Sequence, residues 1–227
     1  MTSLLLLNGS PRGARSNSLK MMSRVAEGWS SAGDRVAEVE VLHLADRDDF
    51  TRALEEFGKA GTVLLGFPLY TDSMPGLVKS YIEALAPYCG RPGNPRLAFL
   101  VQSGFSEPLH SRPVARYLEK LAARLGSPYG GTIVRGGGEA LQAMPEQASE
   151  RLWTRLRALG ASLAATGSFD PSLLEQVARA ERFSPTKAAA WRLLLKLPPT
   201  QFYWNGQLKK NGAWKARFAR PYAEPRQ

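Results

Sequence analysis

The stretch LLLLNGSPRGARSNS, residues 4–18, decides the fold. Its four leucines form a short apolar run that ends at turn residues, which is typical of a buried strand. The polar loop after them leads directly into a helical pattern. Its backbone amides and those of the first helical turn therefore point at one place, where the helix dipole favours negative charge. We interpret the loop as a phosphate site; the alternative is that Ser16, Asn17 and Ser18 only cap the helix.

Two well-known phosphate motifs are absent from this stretch. Neither GxGxxG nor GxxxxGK[ST] occurs around Gly9. The sequence therefore argues against a Rossmann dinucleotide site and against a Walker A loop.

Strand and helix patterns alternate five times from residue 4 onward. The strands are predicted at 4–7, 35–44, 62–67, 96–102 and 129–135. The helices are predicted at 19–32, 49–59, 75–85, 114–125 and 152–163. Three of the strands are apolar throughout, as expected when helices cover both faces of a sheet. The pattern predicts an α/β fold with a doubly wound, five-stranded parallel sheet, in which ligands bind beyond the carboxyl ends of the strands.

The chain has 227 residues and a single cysteine, Cys89. One cysteine rules out an internal disulfide framework and a cysteine-ligated cluster within the chain, and it favours a cytoplasmic protein. We expect no secretory signal peptide, because the leucine run is too short for its apolar region. We expect no membrane-spanning helix either, because no apolar run approaches about 20 residues. No metal site is predicted.

Two further loops follow apolar strands and carry aromatic residues. GFPLYTDSMP, residues 66–75, places Tyr70 among polar groups, and QSGFSEPLH, residues 102–110, places Phe105 beside Gly104. Glycine lets a backbone approach a ligand closely. A phosphate loop together with two loops of this kind suits a flat heterocycle with a phosphate tail.

Two motifs at the strand ends resemble a known family. NGSPRGARSNS, residues 8–18, and PLYTDSMPGLVKSYIE, residues 68–83, are similar to the flavodoxin-like NAD(P)H-dependent FMN reductases. That family includes related quinone reductases and the flavodomain of iron–sulfur flavoproteins. The resemblance covers about residues 1–165. The cysteine cluster of the iron–sulfur branch has no counterpart, since Cys89 stands alone.

The resemblance implies FMN as the cofactor and assigns the residues that bind it. The residues that match the family's phosphate loop are Ser10, Arg12, Ser16, Asn17 and Ser18. Those that match the loop along the isoalloxazine are Pro68, Leu69, Tyr70, Thr71, Asp72 and Ser73. Ser103, Gly104 and Phe105 stand where the family's third flavin loop lies. Three alternatives without a role in flavin binding remain: Arg12 could be solvated, Tyr70 could be a packing residue, and Asp72 could cap the next helix.

The same resemblance implies an enzyme, an NAD(P)H-dependent FMN reductase or quinone reductase-like oxidoreductase. Hydride would pass from NAD(P)H, the co-substrate, through the flavin to a small acceptor such as a flavin or a quinone. No catalytic protein residue is required, because the chemistry is the flavin's. The family also implies a homodimer. The alternatives are a non-enzymatic electron carrier of the flavodoxin type and a flavin-binding protein that docks on a partner or a membrane.

Residues 168–227 depart from the family's minimal domain, residues 1–167, and form a predicted C-terminal extension that is mainly helical and basic. Helical patterns are predicted at 173–178 and 185–197. The last 42 residues hold nine Lys or Arg against one acid, so they carry +8 of the net charge of +10. Three of the five tryptophans also lie there, which argues against disorder.

Two interpretations of the extension remain open. It could pack across the first domain or a dimer partner and carry solvated lysines. It could instead present a basic, aromatic surface to an anionic membrane, an acidic partner or the phosphates of NADPH. Nucleic acid is not expected as a partner, because nothing matches a known docking motif.

Overall fold

The computed structural model describes residues 3–32, 38–142, 145–178, 182–194 and 202–220. Five strands form one all-parallel sheet in the order β2-β1-β3-β4-β5. The strands are β1 Leu4–Asn8, β2 Val39–His43, β3 Thr62–Pro68, β4 Arg96–Gln102 and β5 Tyr129–Arg135. The predicted doubly wound parallel sheet is confirmed.

Eight α-helices accompany the sheet in the described part of the chain. They are α1 Asn17–Ser31, α2 Arg47–Phe57, α3 Gly76–Ala84, α4 Arg112–Leu125, α5 Glu150–Thr166, α6 Pro171–Ala178, α7 Pro185–Leu194 and α8 Phe202–Lys210. The sequence predicted seven of them and missed α8. The start of the predicted strand 35–44 and the end of the predicted helix 185–197 lie outside the described residues.

The apolar strands are buried on both faces because successive side chains point to opposite sides. In β1, Leu5 and Leu7 join one core with Phe57 of α2. Leu4 and Leu6 join the other core with Trp153 of α5. The run of four leucines therefore supplies both layers at once, which explains why it showed no alternation in the sequence.

Helices α1 and α5 cross at two glycines. A Cβ on Gly28 would lie 1.8 Å from the carbonyl oxygen of Arg157, and a Cβ on Gly160 would lie 1.9 Å from that of Val25. No side chain fits at either point, so the two backbones approach more closely than ordinary helices do. Since α1 carries the first loop's helical end, this crossing fixes where that end lies.

The first compact unit runs from Met1 to Arg182, and the second runs from Phe183 to the end of the chain. Helix α6 belongs to the first unit, because Val177 and Ala178 are buried in it. A guanidinium hydrogen on Nη1 of Arg135, in β5, is donated to the carbonyl oxygen of Val177 at 2.8 Å. The sequence had instead placed the boundary after residue 167, ahead of this helix.

A bilayer-spanning helix would need greater length and apolarity than any helix in the described ranges has.

Candidate functional site

Asn8, the last residue of β1, organises the first loop. Its side chain is fully buried. Oδ1 accepts hydrogen bonds from the backbone N–H of Ser10 and from the hydroxyl of Ser16, both at 3.2 Å. Nδ2 donates to the carbonyl oxygen of Gly13 at 2.8 Å and lies 3.0 Å from Nδ1 of His43. The loop is therefore held from inside before any ligand contributes.

Ser16 is the N-cap of α1. Its Oγ accepts from the backbone N–H of Leu19 at 3.1 Å, and its hydroxyl hydrogen goes to Asn8. The capping alternative thus holds for Ser16. Asn17 and Ser18 then supply backbone N–H groups in the first turn, where a helix offers no partner of its own. These amides are available to an anion.

Ser10 and Ser18 add hydroxyl donors beside those amides. Both side chains are buried, at 1% and 0% exposure. Ser10 Oγ accepts from the backbone N–H of Arg12 at 3.3 Å, and Ser18 Oγ accepts from Nε2 of Gln102 at 3.5 Å. Each serine therefore accepts through its oxygen and keeps its hydroxyl hydrogen to donate.

The carboxamide of Asn17 joins the first loop to the segment after β5. Its Nδ2 donates to the carbonyl oxygen of Gly138 at 2.8 Å. The backbone N–H of Gly138 donates in turn to the carbonyl oxygen of Ser103 at 2.7 Å. The segment at Gly138 therefore forms part of the site's frame.

Gln102, the last residue of β4, is where the three predicted loops meet. Its carbonyl oxygen accepts from the backbone N–H of Leu69 at 2.7 Å, and its side chain reaches Ser18. The residue is only 6% exposed, and no group in the described part of the chain donates to its Oε1. A Cβ on Gly138 would lie 2.0 Å from that oxygen. Gln102 thus holds a buried acceptor that protein groups leave open.

The second loop turns sharply between Tyr70 and Ser73. Their backbones exchange two hydrogen bonds, at 2.9 and 3.2 Å, and Thr71 between them has φ +56°. Tyr70 is 47% exposed, so the structure does not support the packing alternative for its ring. The N-cap of α3 is Pro75 and no side chain caps that helix, so Asp72 does not cap it either. Pro68 and Leu69 are buried at the base of the loop.

The third loop presents a second aromatic ring. Phe105 is 47% exposed, and its ring centroid lies 4.4 Å from that of His110 at an interplanar angle of 31°. A Cβ on Gly104 would meet only Cβ of Glu139, at an ordinary contact distance of 3.9 Å. Ser103 is buried, and its hydroxyl donates to the carbonyl oxygen of Phe105 at 3.2 Å.

Arg12 lies at the rim of the first loop and is paired. Two of its nitrogens donate to the carboxylate of Glu139 at 3.1 and 3.3 Å, and both side chains are nearly half exposed. The solvated alternative for Arg12 is therefore not what the structure shows. Outside the loop lies an open groove of about 690 Å³, lined in part by Arg15, Lys20 and Arg24. Glu146 lines the same groove and pairs with Lys20 and Arg24, so the cations there are partly neutralised.

The donor set fits a flavin mononucleotide. A phosphate can accept hydrogen bonds from the backbone N–H groups of Asn17 and Ser18 and from the hydroxyls of Ser10 and Ser18. The open Oε1 of Gln102 suits a hydroxyl donor of the ligand. The exposed rings of Tyr70 and Phe105 suit a flat heterocycle. The assignment of these residues to FMN stays a prediction, but nothing in the frame conflicts with it.

Sequence reasoning missed Asn8, Gln102 and Glu139. The first two are polar residues that directly end apolar strands, and this position is the signal that could have found them. Glu139 carries no such signal, because it lies far along the chain from Arg12.

Residues 2–88 match a protein family described as having a flavodoxin-like fold. The chain has the flavodoxin-like fold. An iron–sulfur flavoprotein of Archaeoglobus fulgidus is 29% identical over 113 residues, which are 41% of this chain and 53% of that protein. The match therefore spans about half the length of this curated relative.

Two solved structures are similar to most of this flavodoxin-like chain. One is an FMN-dependent NADH-azoreductase from Bacillus anthracis in complex with FMN, with a TM-score of 0.55 and 16% identity over 72% of this chain and 100% of that one. The other is an NADH:FMN oxidoreductase in its apo form, with a TM-score of 0.55 and 15% identity over 82% of this chain and 98% of that one. At such identities the likeness shows the fold. The resemblance predicted from the two motifs is confirmed at that level.

Proposed function

We propose that this protein is an FMN-dependent oxidoreductase. It takes hydride from NAD(P)H and passes it through bound flavin to a small acceptor such as a flavin or a quinone. The observation that carries the proposal is the meeting of three strand-end loops at Gln102. The first loop supplies buried hydroxyls and the amides that begin α1, and each of the other two carries an exposed aromatic ring. Similar folds described as NADH-azoreductase and NADH:FMN oxidoreductase support it.

The residues of this chain would bind and orient the cofactor. The first turn of α1 and the hydroxyls of Ser10 and Ser18 would hold the phosphate, and Arg12 would add charge at the rim. Gln102 would accept a hydrogen bond from the ligand between the loops. FMN, when bound, supplies the hydride chemistry, so no side chain is needed as a general acid or base.

The electron carrier of the flavodoxin type is the competing function, and one experiment separates the two. The purified full-length protein is loaded with FMN, and its visible spectrum is followed without oxygen before and after NADPH or NADH is added. We expect flavin bands that bleach within seconds and a matching loss of reduced nicotinamide.

Two outcomes would contradict the proposal. Flavin bands that persist with both nucleotides would indicate a carrier. Failure to take up FMN at all would remove the cofactor assignment and leave only the fold. The homodimer and the cytoplasmic location stay predictions of the sequence.

A further inference from the structure

The second compact unit has a one-sided charge. Between residues 183 and 220 the sequence holds eight Lys or Arg and no Asp or Glu. The basic residues are Lys187, Arg192, Lys196, Lys209, Lys210, Lys215, Arg217 and Arg220. A segment of this kind has no acid of its own to pair with, so it attracts anionic surfaces from outside.

The same unit leaves large apolar side chains in solvent. None of its described residues is buried. The exposed large apolar side chains are Trp191 at 42%, Leu193 at 68%, Leu194 at 44%, Phe202 at 80%, Trp204 at 69% and Phe218 at 83%. In the first unit, by contrast, the long apolar stretches of the strands are buried. Exposed apolar groups at this density mark an interaction surface.

The charges and the rings of the second unit are interleaved in space. The ammonium of Lys187 lies 4.3 Å from the ring centroid of Phe183. The guanidinium of Arg217 lies 4.1 Å from the ring of Trp214 and 4.8 Å from that of Phe218. Any surface that meets the rings therefore meets the cations as well.

We propose that the described residues of the second unit, 183–194 and 202–220, form a docking surface for anionic phospholipid bilayers. Basic groups gain from the negative surface potential of such a bilayer, and Trp, Phe and Leu side chains gain by entering the boundary between headgroups and acyl chains. The unit lies on the bilayer and does not span it, since no described helix is long and apolar enough to cross.

The leucines favour lipid over a nucleic acid or an acidic protein. Aromatic side chains can stack on the bases of a nucleic acid, but Leu193 and Leu194 have no ring with which to do so. An acidic protein would satisfy the lysines but would not by itself cover the leucines. Hydrocarbon covers both kinds of apolar side chain, and anionic headgroups pair with the cations.

The test uses the full-length protein and vesicles of phosphatidylcholine with and without phosphatidylserine. Co-sedimentation measures the fraction bound, and tryptophan fluorescence reports whether the rings leave water. We expect binding to vesicles that contain phosphatidylserine, a shift of the emission to shorter wavelength, and weaker binding as salt screens the charges.

Two double variants separate the charges from the rings. Lys209→Gln/Lys210→Gln should weaken binding by about tenfold or more, since each basic residue near such a surface contributes about a fivefold change. Phe202→Ser/Trp204→Ser should also weaken binding and should reduce the spectral shift. Circular dichroism and thermal unfolding of the first unit should stay unchanged in both, which shows that the protein still folds.

Matched controls lie on α4 of the first unit. Lys120→Gln/Arg124→Gln removes two exposed charges there, and Tyr117→Ser removes a side chain that is 41% exposed. Both controls should bind vesicles like the unchanged protein. The same loss in a control as in the C-terminal variants would overturn the proposal.

Other results would also overturn the assignment. Equal binding to both kinds of vesicle, or none to either, would exclude anionic lipid. Tighter binding to single-stranded DNA or to polyglutamate than to the vesicles would give the surface another partner. A lower molar mass in solution for Phe202→Ser/Trp204→Ser would show that a second copy of the chain covers the rings.

Discussion

Helices α5 and α8 each carry a tryptophan and a glycine, and they use them in opposite ways. Trp153 of α5 is 1% exposed, whereas Trp204 of α8 is 69% exposed. A Cβ on Gly160 of α5 would collide with the backbone of α1, whereas nothing lies within 4 Å of one on Gly206 of α8. The same residue types therefore build a core in the first unit and a surface in the second.

The difference teaches where the free energy of each unit comes from. In the first unit the apolar area is removed from water on folding, so its side chains contribute to stability. In the second unit the apolar area stays in water, so its side chains are available for association. Substitutions at equivalent residues of the two helices should consequently change different quantities.

Truncation of the two tryptophans should give the largest contrast in stability. Trp153→Ala should lower the free energy of unfolding by about 3–5 kcal/mol, because it empties a buried site in the core that α5 shares with α1. Trp204→Ala should change it by about 0.5 kcal/mol or less, as exposed side chains do. Denaturant titration of both variants checks this. Similar losses in the two would mean that Trp204 is buried in solution.

Substitution of Gly160 and of Gly206 by alanine should change stability in opposite directions and by different amounts. Gly160→Ala forces α1 and α5 apart and should cost about 1–3 kcal/mol. Gly206→Ala meets open space within a helix, so it should raise the helicity of α8, with a gain of up to about 1 kcal/mol for that helix. Thermal unfolding measures the first effect and circular dichroism the second. A Gly160→Ala protein as stable as the unchanged one would show that the helices can separate at no cost.

The first unit was largely predictable from sequence because its signals are local. The predicted bounds of β4 and β5 are those of the structure. An apolar run marks β4, and the three glycines at 136–138 mark the end of β5. Helix α8 was missed because its sequence carries no such local signal. Its sequence FYWNGQLKK contains a glycine, an asparagine and three aromatic residues, which are weak helix formers, and it shows no apolar stripe.

The loops of the candidate site were placed correctly at strand ends, but their connections were not foreseen. Asn17 and Gly138 are far apart in the sequence, and they meet because the segment after β5 returns to the loop that follows β4, where the N–H of Gly138 donates to the carbonyl oxygen of Ser103. Likewise, the pairing of Arg12 with Glu139 depends on that return. A single sequence indicates which residues follow a strand, but it does not indicate which loops contact one another.

Substitution of Asn17 and, as a control, of Asn205 should show that the first unit binds the flavin. Asn17→Asp places a negative charge at the phosphate loop and removes the donor to Gly138, so it should weaken FMN binding by about tenfold or more, or about 1.4 kcal/mol. Asn205→Asp makes the same change in α8 and should leave the affinity unchanged. Quenching of flavin fluorescence measures both. Unchanged affinity in Asn17→Asp would count heavily against the first loop as the phosphate site.

Substitution of Glu139, the acid that pairs with Arg12, should have the smallest effect on FMN affinity. The direction of that change shows what the acid does. Glu139 holds the guanidinium by a half-exposed ion pair, and such pairs contribute about 0–1 kcal/mol. Because its carboxylate competes with a phosphate for the same cation, Glu139→Gln should tighten FMN binding by up to about fivefold, measured by the same fluorescence titration. Glu56→Gln removes an acid near the opposite end of the sheet, where it pairs with Lys59, and should leave the affinity unchanged. Weaker binding in Glu139→Gln would mean that the acid positions Arg12 for the ligand, as the buried contacts of Asn8 position the rest of the loop.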